Sequence, residues 1–173
     1  MLDTREAVQE RIGEMETSSG VLFDVERIRE ILPHRYPFLL VDRILEFEPA
    51  KRCVGIKNVT ANEKLFKGHF PGDSVPGVIL VEAIAQVGCV LLLSMPEGRD
   101  SLAYFAAMEN VRFLKPVRPG DTLVIETEAI AYRRGIGKVK GSARVNGEVV
   151  CHGEFTCALV DRNRGRNAKA GHP

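Results

Sequence analysis

The chain has 173 residues, of which 45% are hydrophobic, and its formal net charge at pH 7 is +1. This size and apolar content fit one compact domain with a buried core. No stretch interleaves Lys and Arg with aromatic residues, so the electrostatic footprint of a nucleic-acid-binding protein is missing. We therefore expect no nucleic-acid partner.

Both ends of the chain differ in composition from its centre. Residues 1–20 are rich in Glu and Arg, lack the apolar run of a signal peptide and end in Ser-Ser-Gly, which predicts a loose helix or tail. Residues 161–173 are polar and basic and are predicted to be a disordered tail. The folded domain is therefore expected to span residues 21–160.

The four cysteines, Cys53, Cys89, Cys151 and Cys157, show no CxxC spacing. In apolar or alternating surroundings a free thiol behaves as a small hydrophobic group, which argues for a reducing compartment and against structural zinc. Together with the N-terminal composition, this predicts a cytoplasmic protein.

The first half of the domain predicts a short helix and two strands. Asp24 precedes apolar residues at helical spacing and Pro33 follows them, as expected for a capped helix. Residues 39–47 and 53–59 are predicted strands.

The most apolar segment, residues 78–95, is about five helical turns long. A helix that is apolar on nearly every face must be buried on all sides. Glu82, Gln86 and Gly88 interrupt the run and no basic anchors flank it, so we expect it not to span a membrane.

Three consecutive antiparallel strands are predicted after this helix, around residues 123–129, 138–145 and 149–159, with Asn146-Gly147 as a hairpin turn. A buried helix beside such strands predicts an α+β fold in which one curved sheet wraps the helix. The sheet would leave an edge exposed, so we expect two chains to pair there.

The segment most informative about chemistry is Gly68-His69-Phe70-Pro71-Gly72, followed by Pro76-Gly77 at the helix start. Its Pro-Gly pairs predict a stiff loop that holds His69 beside the first turn of the helix. The Gly77 N–H, at the positive end of the helix dipole, is a candidate site for an oxygen that acquires negative charge.

Glu82 is the single ionisable side chain in the apolar helix. Burying a polar group without a partner costs about 2–7 kcal/mol, and a charge costs more. Taken alone, Glu82 could pair with Arg112 or Arg118, and His69 could bond a carbonyl. Taken together, His69, Glu82 and the helix start suit general acid–base chemistry, with Gln86 orienting the carboxylate.

Several motifs occur in a fixed order: HRYPFLLVDR at 34–43, GHFPG at 68–72, PGV at 76–78, VEA at 81–83 with AQ at 85–86, and FLKPVRPGD at 113–121. Through them, residues 28–159 closely resemble the bacterial 3-hydroxyacyl-[acyl-carrier-protein] dehydratases of type II fatty-acid synthesis.

The resemblance implies a hot-dog fold in which His69 of one subunit and Glu82 of the other face one active site, within a trimer of dimers. It implies an acyl carrier protein as partner and no metal or organic cofactor. His69 would take the proton next to the thioester carbonyl, Glu82 would protonate the departing 3-hydroxyl, and the Gly77 N–H would hold the carbonyl oxygen.

The chain departs from the family in one place. The family commonly has one more residue, often a proline, between Gly72 and Pro76, so Asp73-Ser74-Val75 shortens the spacing from His69 to Glu82. A shorter segment could displace the His69 loop or the first helical turn, and a misplacement of about 1 Å can cost on the order of 100-fold in rate.

Other residues have more than one interpretation. Phe70, Val78, Ile79, Tyr104 and Phe105 suit the walls of an acyl tunnel, although such residues also suit a plain core. His34 lies in a turn next to Pro33 and is expected to order that turn rather than to react. Candidate docking residues for an acidic carrier form two groups: Arg112, Lys115 and Arg118, or Arg133, Arg134, Lys138 and Lys140.

Three other functions remain open. A hot-dog thioesterase would use a carboxylate to activate water, and the setting of His69 disfavours it. A dehydratase that also isomerises its product usually has Asp at the position of Glu82. A non-catalytic acyl-binding module would make the pairing of His69 with Glu82 accidental.

Overall fold

The computed structural model describes residues 22–64, 74–98 and 100–162. Most of the two predicted tails lies outside these residues, as do His69 and Phe70 of the predicted site. The described part contains two α-helices and six β-strands. These are α1 (Val25–Ile31), β1 (Arg43–Glu48), β2 (Arg52–Asn58), α2 (Gly77–Leu93), β3 (Ser101–Phe113), β4 (Thr122–Arg133), β5 (Ile136–Val145) and β6 (Glu148–Asp161).

Helix α1 follows the predicted pattern. Asp24 is its N-cap, and its side chain accepts a hydrogen bond of 2.9 Å from the Arg27 N–H. This satisfies one of the donors that the first turn of a helix leaves unpaired. The helix ends at Ile31, two residues before Pro33, so the prediction is confirmed.

The six strands form one antiparallel sheet in the order β1-β2-β4-β5-β6-β3. Strands β4, β5 and β6 are the three predicted from alternation. The hairpin between β5 and β6 turns at Asn146 and Gly147, whose φ angles of 50° and 84° are those a tight hairpin turn requires. Strands β1 and β3 are the two edges of the sheet.

Helix α2 packs against strands β2 to β6 and supplies much of the core. All of its residues are buried except Gly77, Val78 and Glu82. The helix comes so close to the sheet that a Cβ atom at Gly141 of β5 would lie 2.3 Å from the Ile84 Cγ2. The predicted α+β architecture, with a helix held by one antiparallel sheet, is confirmed.

Neither of the two helices in the described residues is long and apolar enough to cross a membrane. For α2 this agrees with the expectation from the residues that interrupt its apolar run. Most of its 17 residues are instead covered by the sheet and by the segments around it.

Two elements differ from the prediction. The first strand begins at Arg43 rather than at residue 39, because the main chain at Phe38 and Leu40 is bonded to a side chain of α2 instead of to another strand. Strand β3 was not predicted from the sequence. Most of its residues are exposed on both faces, so its sequence lacks the alternation of a half-buried strand.

Candidate active site

Glu82 lies in the second turn of α2 and is the one carboxylate that this helix carries. Its side chain is only 16% exposed. The Gln86 Nε2 donates a hydrogen bond of 2.7 Å to the Glu82 Oε1. The two side chains are four residues apart, which places them on the same face of the helix.

Gln86 connects this face to the segment before β1. Its side chain is buried, and its Nε2 also donates to the Phe38 carbonyl at 2.7 Å while its Oε1 accepts from the Leu40 N–H at 2.9 Å. Since an N–H can only donate and a carbonyl can only accept, these two main-chain groups fix which way the amide points. The orientation of the Gln86 amide is therefore fixed by these main-chain groups and does not depend on Glu82.

Burial raises the pKa of the Glu82 carboxyl group, and the hydrogen bond from Gln86 opposes this with a smaller effect. The charged form loses its water and gains one neutral donor in exchange, so the protonated form is favoured. Glu82 consequently keeps its proton to a higher pH than an exposed glutamate does. This is the property that a general acid needs.

The alternative that Glu82 pairs with Arg112 or Arg118 has no support in the geometry. The Arg112 Nη1 donates to the Val111 carbonyl, and no ion pair between Glu82 and either arginine occurs among the described residues. Within residues 22–64, 74–98 and 100–162, the polar contacts of Glu82 are with Gln86 and with His34, not with a permanent cation.

His34 is the residue that sequence reasoning missed. Its Nε2 lies 3.6 Å from the Glu82 Oε1, although 48 residues separate the two positions along the chain. Sequence reasoning assigned it only the ordering of its turn. The available signal was that His34 opens the first of the motifs whose later members contain His69 and Glu82.

Gly77 is the first residue of α2, and the N-cap residue Pro76 provides no side-chain hydrogen bond. The first N–H groups of a helix have no partner within the helix. The ring of Phe113 covers Gly77 so closely that an added Cβ would lie 2.9 Å from the Phe113 Cε1. A side chain at position 77 would displace the Phe113 ring. Glycine at this position therefore has a steric explanation in addition to the predicted role of its N–H.

The predicted tunnel residues lie in different surroundings. Ile79 is buried, whereas Val78 is 71% exposed, Tyr104 55% and Phe105 41%. Phe105 contacts Phe155 with ring centroids 6.1 Å apart. An exposed set of large apolar side chains suits a surface that is covered by another molecule.

His69 and Phe70 lie outside the described residues, so the pairing of His69 with Glu82 stays a prediction. The structure describes residues 74–98, which include the start of α2 after the shortened segment. The Val75 N–H donates to the Val117 carbonyl at 2.8 Å, and α2 begins directly after Pro76. The first helical turn is therefore formed, although the loop before it is one residue shorter than the family pattern.

The match to a family model covers most of the chain. Residues 32–154 match the FabA-like domain. This range contains His34, Gly77, Glu82 and Gln86.

Curated relatives match at high identity over nearly their whole length. The 3-hydroxyacyl-[acyl-carrier-protein] dehydratase FabZ of Geobacillus thermodenitrificans is 58% identical over 142 residues, which cover 82% of this chain and 98% of the relative. The protein of the same name from Thermomicrobium roseum is 53% identical over 149 residues, covering 86% of this chain and 100% of the relative.

Solved structures share the fold at low sequence identity. The dehydratase heterocomplex ApeI:P from Xenorhabdus doucetiae matches with a TM-score of 0.69 and 18% identity, over 82% of this chain and 95% of the other. A hypothetical thioesterase from Streptococcus pneumoniae with coenzyme A matches with a TM-score of 0.54 and 18% identity, over 68% and 84%. Because dehydratases and thioesterases share this hot-dog fold, the fold alone does not choose between them. The extent of the family match and the identity to the curated relatives place this chain in the FabA-like domain family, among the 3-hydroxyacyl-[acyl-carrier-protein] dehydratases FabZ.

Proposed function

We propose that the chain converts 3-hydroxyacyl-[acyl-carrier-protein] to trans-2-enoyl-[acyl-carrier-protein] and water in fatty-acid elongation, with an acid and a base from its own side chains and no cofactor. The observation that carries the proposal is the Glu82 carboxyl group. It is largely withdrawn from solvent, held by Gln86 and shifted toward its protonated form in a chain that belongs to the dehydratase family.

In the proposed mechanism His69 removes a proton from the carbon next to the thioester carbonyl. The electron pair of that C–H bond forms the new double bond while the bond from C3 to the hydroxyl oxygen breaks. Glu82 gives its proton to the departing oxygen, so that water leaves rather than hydroxide. The step ends with His69 protonated and Glu82 ionised, and transfer of one proton back to Glu82 restores the starting state.

The thioester oxygen gains negative charge during this step. We assign its stabilisation to the Gly77 N–H at the first residue of α2, where the helix leaves donors unpaired. Gly77 has no side chain, and the Phe113 ring packs where a Cβ would otherwise lie. Gln86 acts on the same reaction indirectly, by holding Glu82.

The proposed partner is the acyl carrier protein that bears the substrate. We also propose that the chain is a homodimer whose active sites combine His69 of one subunit with Glu82 of the other, and that three dimers assemble. The exposed apolar side chains of Val78 on α2 and of Tyr104 and Phe105 on the edge strand β3 support surfaces that a second subunit or the acyl chain would cover. We place the catalytic domain at residues 21–160, between two tails, in a cytoplasmic protein.

Of the two basic groups, we propose that Arg112, Lys115 and Arg118 receive the carrier. Lys138 pairs with Glu109 and Glu154, Lys140 pairs with Glu128, and Lys115 pairs with Glu148, so both groups contain lysines whose charge is compensated. The position of the two arginines favours the first group. Arg112 precedes Phe113, which covers Gly77, and Arg118 follows Val117, which bonds Val75 just before α2. The carrier would then dock at the end of the molecule where the thioester must arrive.

Charge reversal tests this assignment. We expect Arg118→Glu to raise KM for the carrier-bound substrate about 10-fold and to leave KM unchanged for a short thioester without the carrier, because only the former uses electrostatic attraction. Lys138→Glu is the control. Equal effects of the two variants on the carrier-bound substrate would contradict the assignment.

The function itself is tested with the purified full chain and a short 3-hydroxyacyl-carrier-protein, following the enoyl thioester by absorbance. We expect turnover in the wild type and a loss of at least about 100-fold in His69→Ala and in Glu82→Gln. Glu154→Gln, which changes a carboxylate on the outer face of the sheet, should keep wild-type activity. Circular dichroism shows whether each variant is folded.

The same assay separates the other functions. Release of free thiol from the acyl thioester would support the thioesterase. Appearance of a 3-enoyl product would support the isomerising dehydratase. Absence of turnover in the folded wild type, with acyl binding that His69→Ala leaves unchanged, would support a binding module and overturn the proposal.

A further inference from the structure

The segment from His34 to Leu40 is held against α2 although it belongs to no helix or strand. Gln86 bonds its main chain at Phe38 and Leu40. The guanidinium group of Arg35 connects the segment to α1. Its Nη1 donates to the Leu32 and His34 carbonyls, and its Nη2 donates to the Arg29 carbonyl. The segment is thus tied to both α1 and α2, so the position of His34 is well determined.

The His34 ring lies next to the Glu82 carboxyl group. Its Nε2 is 3.6 Å from the Glu82 Oε1, and the Phe38 ring stacks beside it with centroids 6.0 Å apart and an interplanar angle of 30°. The side chain is 27% exposed, against 16% for Glu82. The imidazole of His34 is therefore the more exposed member of this pair.

The two ring nitrogens of His34 have different surroundings. Nε2 faces the carboxyl oxygen, whereas Nδ1 is buried and has no hydrogen-bond partner among the described residues. Within the described part of the chain Nδ1 is unpaired in either neutral tautomer, so the choice depends on Nε2, which faces an oxygen that already accepts a hydrogen bond from Gln86. Burial, and to a smaller extent the charge of Arg35, lower the pKa of His34, so the ring is neutral and carries one proton.

These surroundings favour the tautomer with its proton on Nε2, directed at Glu82. Both described neighbours of the carboxyl group, the Nε2 of Gln86 and the Nε2 of His34, then approach the same oxygen, Oε1. An oxygen that faces two donors must act as the acceptor. The acidic proton of Glu82 therefore belongs on the other oxygen, Oε2.

We propose that His34 is a positioning residue for Glu82: its Nε2–H, together with the amide of Gln86, keeps Oε1 as the acceptor oxygen and presents the Oε2–H to the substrate. The proposal rests on the proposed function, in which Glu82 is the acid. His34 itself exchanges no proton with the substrate in this role. Its contribution is to hold the carboxyl group in one of its two orientations.

Two substitutions at position 34 separate this role from a merely structural one. The side-chain amide nitrogen of glutamine reaches about as far as the Nε2 of histidine, whereas that of asparagine reaches only about as far as Nδ1. We expect His34→Ala and His34→Asn to lower kcat on the order of 10- to 100-fold with KM within about twofold, since a misoriented acid slows the chemical step and not substrate binding. His34→Gln should recover most of kcat.

The control is His152→Ala, which removes a histidine on β6 that the proposal does not use and should retain wild-type kcat. If His34→Asn is as active as His34→Gln, or if all three variants at position 34 change KM and not kcat, the proposal is wrong. A wild type without turnover would instead contradict the proposed function, so the two failures are distinguishable.

A second measurement does not depend on turnover. Nitrogen-15 NMR of the imidazole rings distinguishes the two neutral tautomers, and comparison with His34→Gln assigns the His34 signals. We expect the Nε2–H tautomer in the folded wild type near neutral pH. The Nδ1–H tautomer, or a fully protonated ring, would overturn the proposal.

Discussion

Two glutamates, one on the helix α2 and one on the strand β6, show how surroundings change one functional group. Glu82 projects from the buried helix and has Gln86 as its donor, and burial raises its pKa. Glu154 projects from β6 and lies 2.7 Å from the Lys138 Nζ, whose hydrogen bond lowers its pKa. The same carboxyl group is therefore suited to donating a proton at one place and to a lasting ion pair at the other.

The difference extends to the regions around them. On the outer face of the sheet several charges have a partner of opposite sign, as in the pairs Lys138–Glu109, Lys140–Glu128 and Arg52–Glu126. Around Glu82 the compensation comes from neutral groups, an amide and an imidazole. Neutral donors hold a carboxyl group in place without forcing it to ionise, which an adjacent cation would do.

Gln86→Leu should have the largest effect on stability. It leaves the Phe38 carbonyl and the Leu40 N–H without their partner in the interior, at about 1–3 kcal/mol for each group. Urea unfolding measures the change. Lys140→Leu also replaces a polar side chain by leucine but on the outer face, and it should cost much less. Equal losses in the two variants would show that the bonds of Gln86 contribute little.

Glu82→Gln should stabilise the folded chain at neutral pH while removing activity. Because burial raises the pKa of Glu82 in the folded chain, the unfolded chain ionises first as pH rises, and this ionisation favours unfolding. The gain should be present at neutral pH and vanish below about pH 4, where both states are protonated. Free energies of unfolding across this range test the sign. A variant that is less stable than wild type at neutral pH would contradict it.

Glu154→Gln should have a smaller effect of opposite sign. The pKa of Glu154 is lowered in the folded chain, so its ion pair stabilises at neutral pH, and this stabilisation is lost as pH falls through the folded-state pKa. The variant should be slightly less stable than wild type at neutral pH and equal to it in acid. High salt should weaken the difference, since exposed charges are screened. A difference that persists in acid would point to packing rather than charge.

Much of the fold could be predicted from local patterns. The apolar run of α2, the cap at Asp24 and the Asn146-Gly147 turn act through neighbouring residues, and each was found where its pattern placed it. Strand β3 was missed because its pattern is not that of a half-buried strand. Its residues from Tyr104 to Asn110 are exposed on both faces.

The candidate site shows a second reason why some contacts could not be predicted from the sequence. Glu82 and Gln86 are one turn apart, so their contact could be predicted from helix geometry. The approach of His34 to Glu82 depends on the path of the chain between α1 and β1, and on main-chain bonds to Gln86 that no spacing rule contains. Contacts made by irregular segments require the tertiary structure.

The hydrogen bond from the Leu40 N–H to Gln86 also gives this region a natural reporter. Leu40 belongs to no helix or strand, and its amide hydrogen is protected from exchange with solvent only while the buried Gln86 side chain accepts it. Exchange of this one amide would record how often the segment that carries His34 lifts from α2. The opening rate of the site could thus be followed at a backbone position that takes no part in the chemistry.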